Sequence, residues 1–112
     1  MKRIIVNLRV EGTHLWESCQ IEEVLYLSSL HRHMFYIRLE KEVTHNDRDI
    51  EIIKLKHDII DYLKIAYYDE DLRTHCFCGK SCEDIAEDIL NTFNAYSVEV
   101  LEDNENGAII TE

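Results

Sequence analysis

A chain of 112 residues, 46% of them hydrophobic, carries enough apolar side chain for one packed domain and too little length for two. Its formal net charge of −11, from 23 Asp and Glu against 12 Lys and Arg, argues against a nucleic-acid partner, because phosphate backbones are held by basic stripes. No apolar run approaches the roughly 20 residues that cross a bilayer, and Cys19, Cys76, Cys78 and Cys82 come without a secretory leader, so they read as free thiols in the cytoplasm.

"RIIVNLRV" alternates, with Ile4, Val6, Leu8 and Val10 on one face and Arg3, Asn7 and Arg9 opposite, which predicts a half-buried antiparallel strand. "EGTHLWESCQIEEVLYLSSL" has no sustained period and reads as a long excursion with a short helix around Ile21 to Leu27. A second strand is expected from about His31 to Thr44, followed by the polar turn "THNDRD". Ile52, Ile53, Leu55, Ile59, Ile60 and Leu63 then fit one face of a helix over about Ile50 to Ile65.

After an irregular stretch through "HCFCGK", Ser81 can cap a second helix. Asp84 completes the capping pattern, and Ile85, Ile89, Leu90 and Phe93 form its apolar stripe. "YSVEVLED" alternates again, "NENG" reads as a hairpin turn and "AIIT" as a short last strand. The expected order is strand, strand, helix, helix, strand, strand.

The second strand opens with two histidines one residue apart. Side chains two apart on a strand share a face, so His31 and His33 stand together above Phe35, Ile37 and Leu39. His14, in the expected excursion, supplies a third imidazole, and three histidines with an open fourth position suit zinc. The competing reading makes them strand-end residues bonded to backbone. Likewise, "HCFCGKSC" offers His75, Cys76, Cys78 and Cys82 as metal ligands or as incidental thiols. Its spacing favours the thiols, with Cys82 the reactive one at a helix N-terminus. Glu102 ends the stripe Tyr96, Val98, Val100 either as a solvent-facing terminus or as a bidentate acceptor for a purine or pterin edge.

"GTHLW…SLHRHMFYIRL", "IEIIKLK", "SCEDIAEDIL" and "VEVLEDNENGAII" resemble, in order, the blocks of the 6-pyruvoyltetrahydropterin and 6-carboxytetrahydropterin synthases, which have the tunnelling fold, or T-fold. The resemblance implies an α+β domain over residues 1–112, ββααββ, with a four-stranded antiparallel sheet carrying two helices on one face and oligomerising into a barrel. It implies zinc on His14, His31 and His33, and Glu102 as the anchor of a pterin- or guanine-like ring, with Trp16 and Arg32 as further pocket candidates. The family's catalytic cysteine and adjacent Asp-His pair have no clear counterpart: Cys19, Asp71 and His75 are the remnants, and Arg32 replaces the glycine of H-G-H.

A pocket without that machinery implies a binder of a purine-, pterin- or nucleotide-like molecule, working without turnover. Compact acidic sequences of this kind also resemble T-fold proteins of bacteriophages, for which capture of a host nucleotide signal in the host cytoplasm is a natural use. The alternative is a zinc-dependent lyase acting on dihydroneopterin triphosphate, and a purely structural assembly protein is a third class. Two sheet edges with little charge against pairing predict a closed homo-oligomer, a tetramer or hexamer.

Overall fold

Alternation carries β1 (Lys2–His14) beyond the last apolar residue of its pattern. Val6, Leu8 and Val10 are buried while Ile5, Asn7, Arg9 and Glu11 are exposed. The next inward position is Gly12, where a Cβ would lie 2.5 Å from the Phe77 ring and 3.1 Å from that of Phe35. Gly12 therefore continues the inner face as a seat for aromatic rings. β2 (His31–Val43) pairs antiparallel with β1 along its whole length, from Lys2 opposite Val43 to His14 opposite His31. His14 thus ends a strand, where the sequence had suggested an excursion. The computed structural model describes all of residues 1–112.

The connection from β1 to β2 holds one 3₁₀ helix, Glu22–Ser28, distorted at Val24. After β2, the Glu51 carboxylate accepts from the N–H groups of Ile53 and Lys54 and caps α1 (Ile52–Tyr67). Two very short strands follow, β3 (Tyr68–Asp69) and β4 (Thr74–Cys76). Next come α2 (Cys82–Phe93), with the expected Ser81–Asp84 capping box, then β5 (Ser97–Glu102) and β6 (Asn106–Thr111).

The sheet is six-stranded and mixed, in the order β3-β4-β1-β2-β5-β6, with β4 parallel to β1 and the other pairs antiparallel. This corrects the expected four-stranded antiparallel sheet with two helices, since there are six strands and three helices. Strands of two and three residues are too short for a period of two to show. What creates them is long-range: β4 pairs with the end of β1 through Gly12–His75 and Thr13–Cys76, residues more than 60 positions apart.

The core joins the inner faces of β1, β2 and β5 to Leu55, Ile59 and Leu63 of α1 and Ile85, Ala86 and Ile89 of α2. Ile52 and Ile53, expected on the buried stripe, are exposed in the first turn of α1, ahead of the buried Leu55. The Asp88 carboxylate ties the helices together by accepting from the hydroxyls of Tyr62 and Tyr67. No helix is long and apolar enough to cross a membrane.

Candidate metal centre and adjoining cleft

The register of the three central strands gathers four side chains at one end of the inner face. His14 ends β1 opposite His31 at the start of β2, His33 stands opposite Gly12, and Glu102 ends β5 opposite Phe35. The ring centroids are 4.5 Å apart for His14–His31, 5.0 Å for His31–His33 and 5.4 Å for His14–His33, all nearly edge to face. Phe35, fully buried, lies beneath His14 and His33.

Each ring has one nitrogen already committed. Nδ1 of His14 lies 2.9 Å from the Lys80 carbonyl, Nδ1 of His31 2.9 Å from the Ser29 carbonyl, and Nδ1 of His33 2.8 Å from Oδ2 of Asp103. Carbonyls and carboxylates only accept, so each Nδ1 carries the hydrogen and donates it. In the neutral rings, Nε2 is then left with its lone pair. All three Nε2 atoms are buried and without a hydrogen-bond partner. Three lone pairs facing one small volume repel each other unless a cation lies among them, and ring orientation by carbonyl and carboxylate partners is how metal-binding histidines are held.

Glu102 adds the charge. Its Oε2 lies 2.8 Å from His14 Nε2 and 3.7 Å from His33 Nε2, with the nearer contact out of hydrogen-bond alignment. The donor atoms of His14, His31, His33 and Glu102 all lie within 4.8 Å of one another. A tetrahedral ion with bonds of about 2.0–2.1 Å holds its ligand atoms about 3.3 Å apart, so the wider-spaced donors must draw in by about 1 Å while Glu102 Oε2, 2.8 Å from His14 Nε2, moves slightly off that ring. These four residues could hold a metal ion.

Electrostatics follow the geometry. Burial acts to lower the pKa of His14, but the Glu102 carboxylate and the Lys80 carbonyl outweigh it, and the imidazole titrates above its ordinary value. Contact with His14 in turn holds Glu102 below the usual carboxylate range, against an opposing effect of burial. In the metal-free chain this pair stabilises the fold within a window. The contribution is lost as pH rises through the raised pKa of His14 and as pH falls through the depressed pKa of Glu102.

A cleft of about 410 Å³ opens beside the centre, bordered by His14, His31 and Glu102. Leu15, Trp16 and Leu27 form an apolar side; Lys80, Cys82 and Asn106 are among its polar groups. Trp16 is 45% exposed there and its indole N–H donates to Ser18. Arg32 pairs instead with Glu11 and does not line the cleft.

Cys19, Asp71 and His75 are likewise brought neither to the cleft nor to the histidine cluster. Cys19 is buried against the Val24 carbonyl, Asp71 lies exposed in a turn, and His75 donates from Nδ1 to the Glu11 carbonyl. Cys82 does line the cleft, but burial first, then the charges of Glu102 and Glu83, push its thiol up to about 12. This reverses the expectation of a reactive thiol, because desolvation of the charged form outweighs the helix terminus.

Two residues of the centre escaped sequence reasoning. Asp103 orients His33 and also accepts from the Met34 N–H through Oδ1. The acidic residue directly after Glu102, at the mouth of a hairpin, was its available signal. Lys80 acts through its carbonyl, which no side-chain pattern can announce.

The sequence matches no protein-family model and no curated protein. Seven solved chains match in structure. One is an uncharacterized protein from Wolinella succinogenes, superposing with a TM-score of 0.71 over 99% of this chain and 98% of that one at 14% identity. The likeness is one of fold.

Proposed function

We propose that the chain holds zinc on His14, His31 and His33 and binds a planar purine- or pterin-like molecule in the adjoining cleft, without turning it over. The observation that carries this reading is the convergence of three orphaned Nε2 atoms, each ring fixed through Nδ1. Three imidazoles and a carboxylate suit zinc by donor type and number. Oε2 of Glu102, 2.8 Å and 3.7 Å from two of these nitrogens, is near enough to serve as a fourth ligand in place of water, which favours a closed, non-catalytic centre.

The cleft has the volume and the mixed lining of a small-molecule site. Trp16 offers a face for stacking, Lys80 a cation for an acidic substituent, and Oε1 of Glu102 an acceptor for ring N–H donors. Its one thiol is protonated at neutral pH, which favours binding over nucleophilic catalysis by Cys82. The exposed apolar residues Ile21, Leu25 and Tyr26 of the β1–β2 connection and Ile109 on the edge strand β6 are where further copies of the chain would pack in a closed homo-oligomer.

Calorimetry on zinc-loaded protein, against guanine derivatives, reduced pterins and signalling nucleotides, tests the reading. The expected result is saturable binding of at least one class with the ligand recovered unchanged. Absence of binding by folded protein across the panel contradicts it. Conversion of dihydroneopterin triphosphate that disappears in Cys82→Ser would establish the lyase reading in its place.

A further inference from the structure

The segment that fixes His14 through the Lys80 carbonyl also carries two thiols in contact. Sγ of Cys76 and Sγ of Cys78 lie 3.1 Å apart; Cys76 is half-buried and Cys78 exposed. Residues two apart on an extended strand are separated by about 6.6 Å, too far for such a contact. The chain closes this gap by leaving the strand: φ at Cys78 is 52°, in the left-handed region that a cysteine seldom adopts.

Both ends of this bend are pinned. Phe77, 1% exposed, is buried against Phe35 and Tyr67, and its N–H donates to the Thr13 carbonyl at 2.8 Å. The Cys78 carbonyl accepts from Leu15 N–H at 2.9 Å, and Lys80 N–H donates to the Phe77 carbonyl at 3.0 Å. From the dithiol to His14 the route is therefore a single tight turn, ending in the bond from His14 Nδ1 to the Lys80 carbonyl.

We propose that Cys76 and Cys78 form a reversible redox dithiol, oxidised by small disulfides of the glutathione type, and that its closure disturbs the Lys80 carbonyl and weakens the metal centre. The second half rests on the zinc reading above. The Cys78 thiol has the Cys76 carbonyl as an acceptor at 3.9 Å beside the Cys76 sulfur, and contact with Cys76, then burial, raise its pKa; Cys78 is therefore taken as the protonated partner and Cys76 as the attacking sulfur.

In the first step the Cys76 thiolate attacks one sulfur of the small disulfide. That S–S bond breaks, a mixed disulfide forms, and one small thiolate leaves with the bonding pair and takes a proton from solvent. Cys78 then gives its proton to solvent and attacks the Cys76 sulfur, releasing the second small thiol and forming the Cys76–Cys78 bond. The protein thiols lose two electrons and two protons, and the small disulfide gains both. A ring closed over one intervening residue is strained, and strained, exposed disulfides are the readily reduced, regulatory ones. Cys19 and Cys82 are buried, so a reagent reaches this pair first.

The full chain, in glutathione buffers from fully reduced to fully oxidised, is alkylated and its peptides weighed. A Cys76–Cys78 peptide lighter by two hydrogens, restored by dithiothreitol, is expected. Free thiols at both positions under every ratio, or a disulfide made with Cys19 or Cys82, overturns the dithiol. Zinc affinity, measured by chelator competition, should fall about 10- to 100-fold on oxidation, the range typical for disturbing a residue that orients a metal ligand. Cys78→Ser should keep the reduced affinity and lose the response to glutathione disulfide. Unchanged affinity on oxidation, or a loss of reduced-state affinity in Cys78→Ser, overturns the coupling. Failure of the reduced chain to take up zinc overturns the metal reading and the coupling, while the alkylation result still decides the dithiol.

Discussion

Replacing His33 by Ala is expected to lower zinc affinity by more than about 100-fold, beyond the range for losing a residue that only orients a ligand. His33 contributes one of three nitrogens, and its ring is held between the Asp103 carboxylate and Phe35. Asp103→Asn removes the charge behind the ring and leaves the ring in place, so an intermediate loss of about 10-fold is expected. Thermal unfolding reads the same difference. Zinc at a thousand times its Kd adds about 4 kcal/mol of stability through binding to the folded state alone. The wild-type Tm should therefore rise by many degrees with zinc, whereas His33→Ala, at the same zinc concentration and about 100-fold weaker, should keep no more than about a third of that rise. An equal rise in both would show that the histidines are not the ligands.

Phe35→Ala is expected to destabilise the chain by about 3–5 kcal/mol, the cost of emptying a packed aromatic site. Phe35 has no solvent exposure and meets Phe77 at 5.0 Å between ring centroids, under the rings of His14 and His33. Its loss opens a void at the floor of the metal centre and removes the packing that keeps two ligands edge to face. Chemical denaturation measures the change, and the slope with denaturant should stay near the wild-type value. Phe35→Leu, which refills most of the volume, should cost less than half as much. A loss below about 1 kcal/mol in Phe35→Ala would mean that the aromatic floor is not packed as described.

The sequence carried the long hairpin and the grouping of His31 and His33 for a physical reason: β1 and β2 alternate over many residues, and each pair of positions repeats the same instruction. The pattern stopped short at Gly12, a residue with no side chain to vote for either face. The structure shows Gly12 inside, beneath Phe77, which extends β1 until His14 stands directly opposite His31. That four-residue extension, Glu11 to His14, turns a loop histidine into a strand histidine, and it fixes the geometry of the centre.

β3 and β4 were illegible because they owe their form to pairing with β1 rather than to any local period. The hairpin between β5 and β6 was read one residue late. Its left-handed positions are Asp103 and Asn104, residue types that tolerate positive φ, and the shift is what aims Asp103 back at His33. Cys82 shows the opposite failure. The helix terminus was visible in the sequence, whereas the burial and the neighbouring Glu102 that oppose it depend on the fold.

If the end of the β1–β2–β5 face is a metal centre, the metal content of the purified chain will show it. Protein purified without chelator and analysed for its elements should contain about one zinc per chain, falling to none when His14, His31 and His33 are all replaced by Ala. A folded wild-type chain that carries no metal, and takes up none when dialysed against excess zinc at neutral pH, would contradict the account.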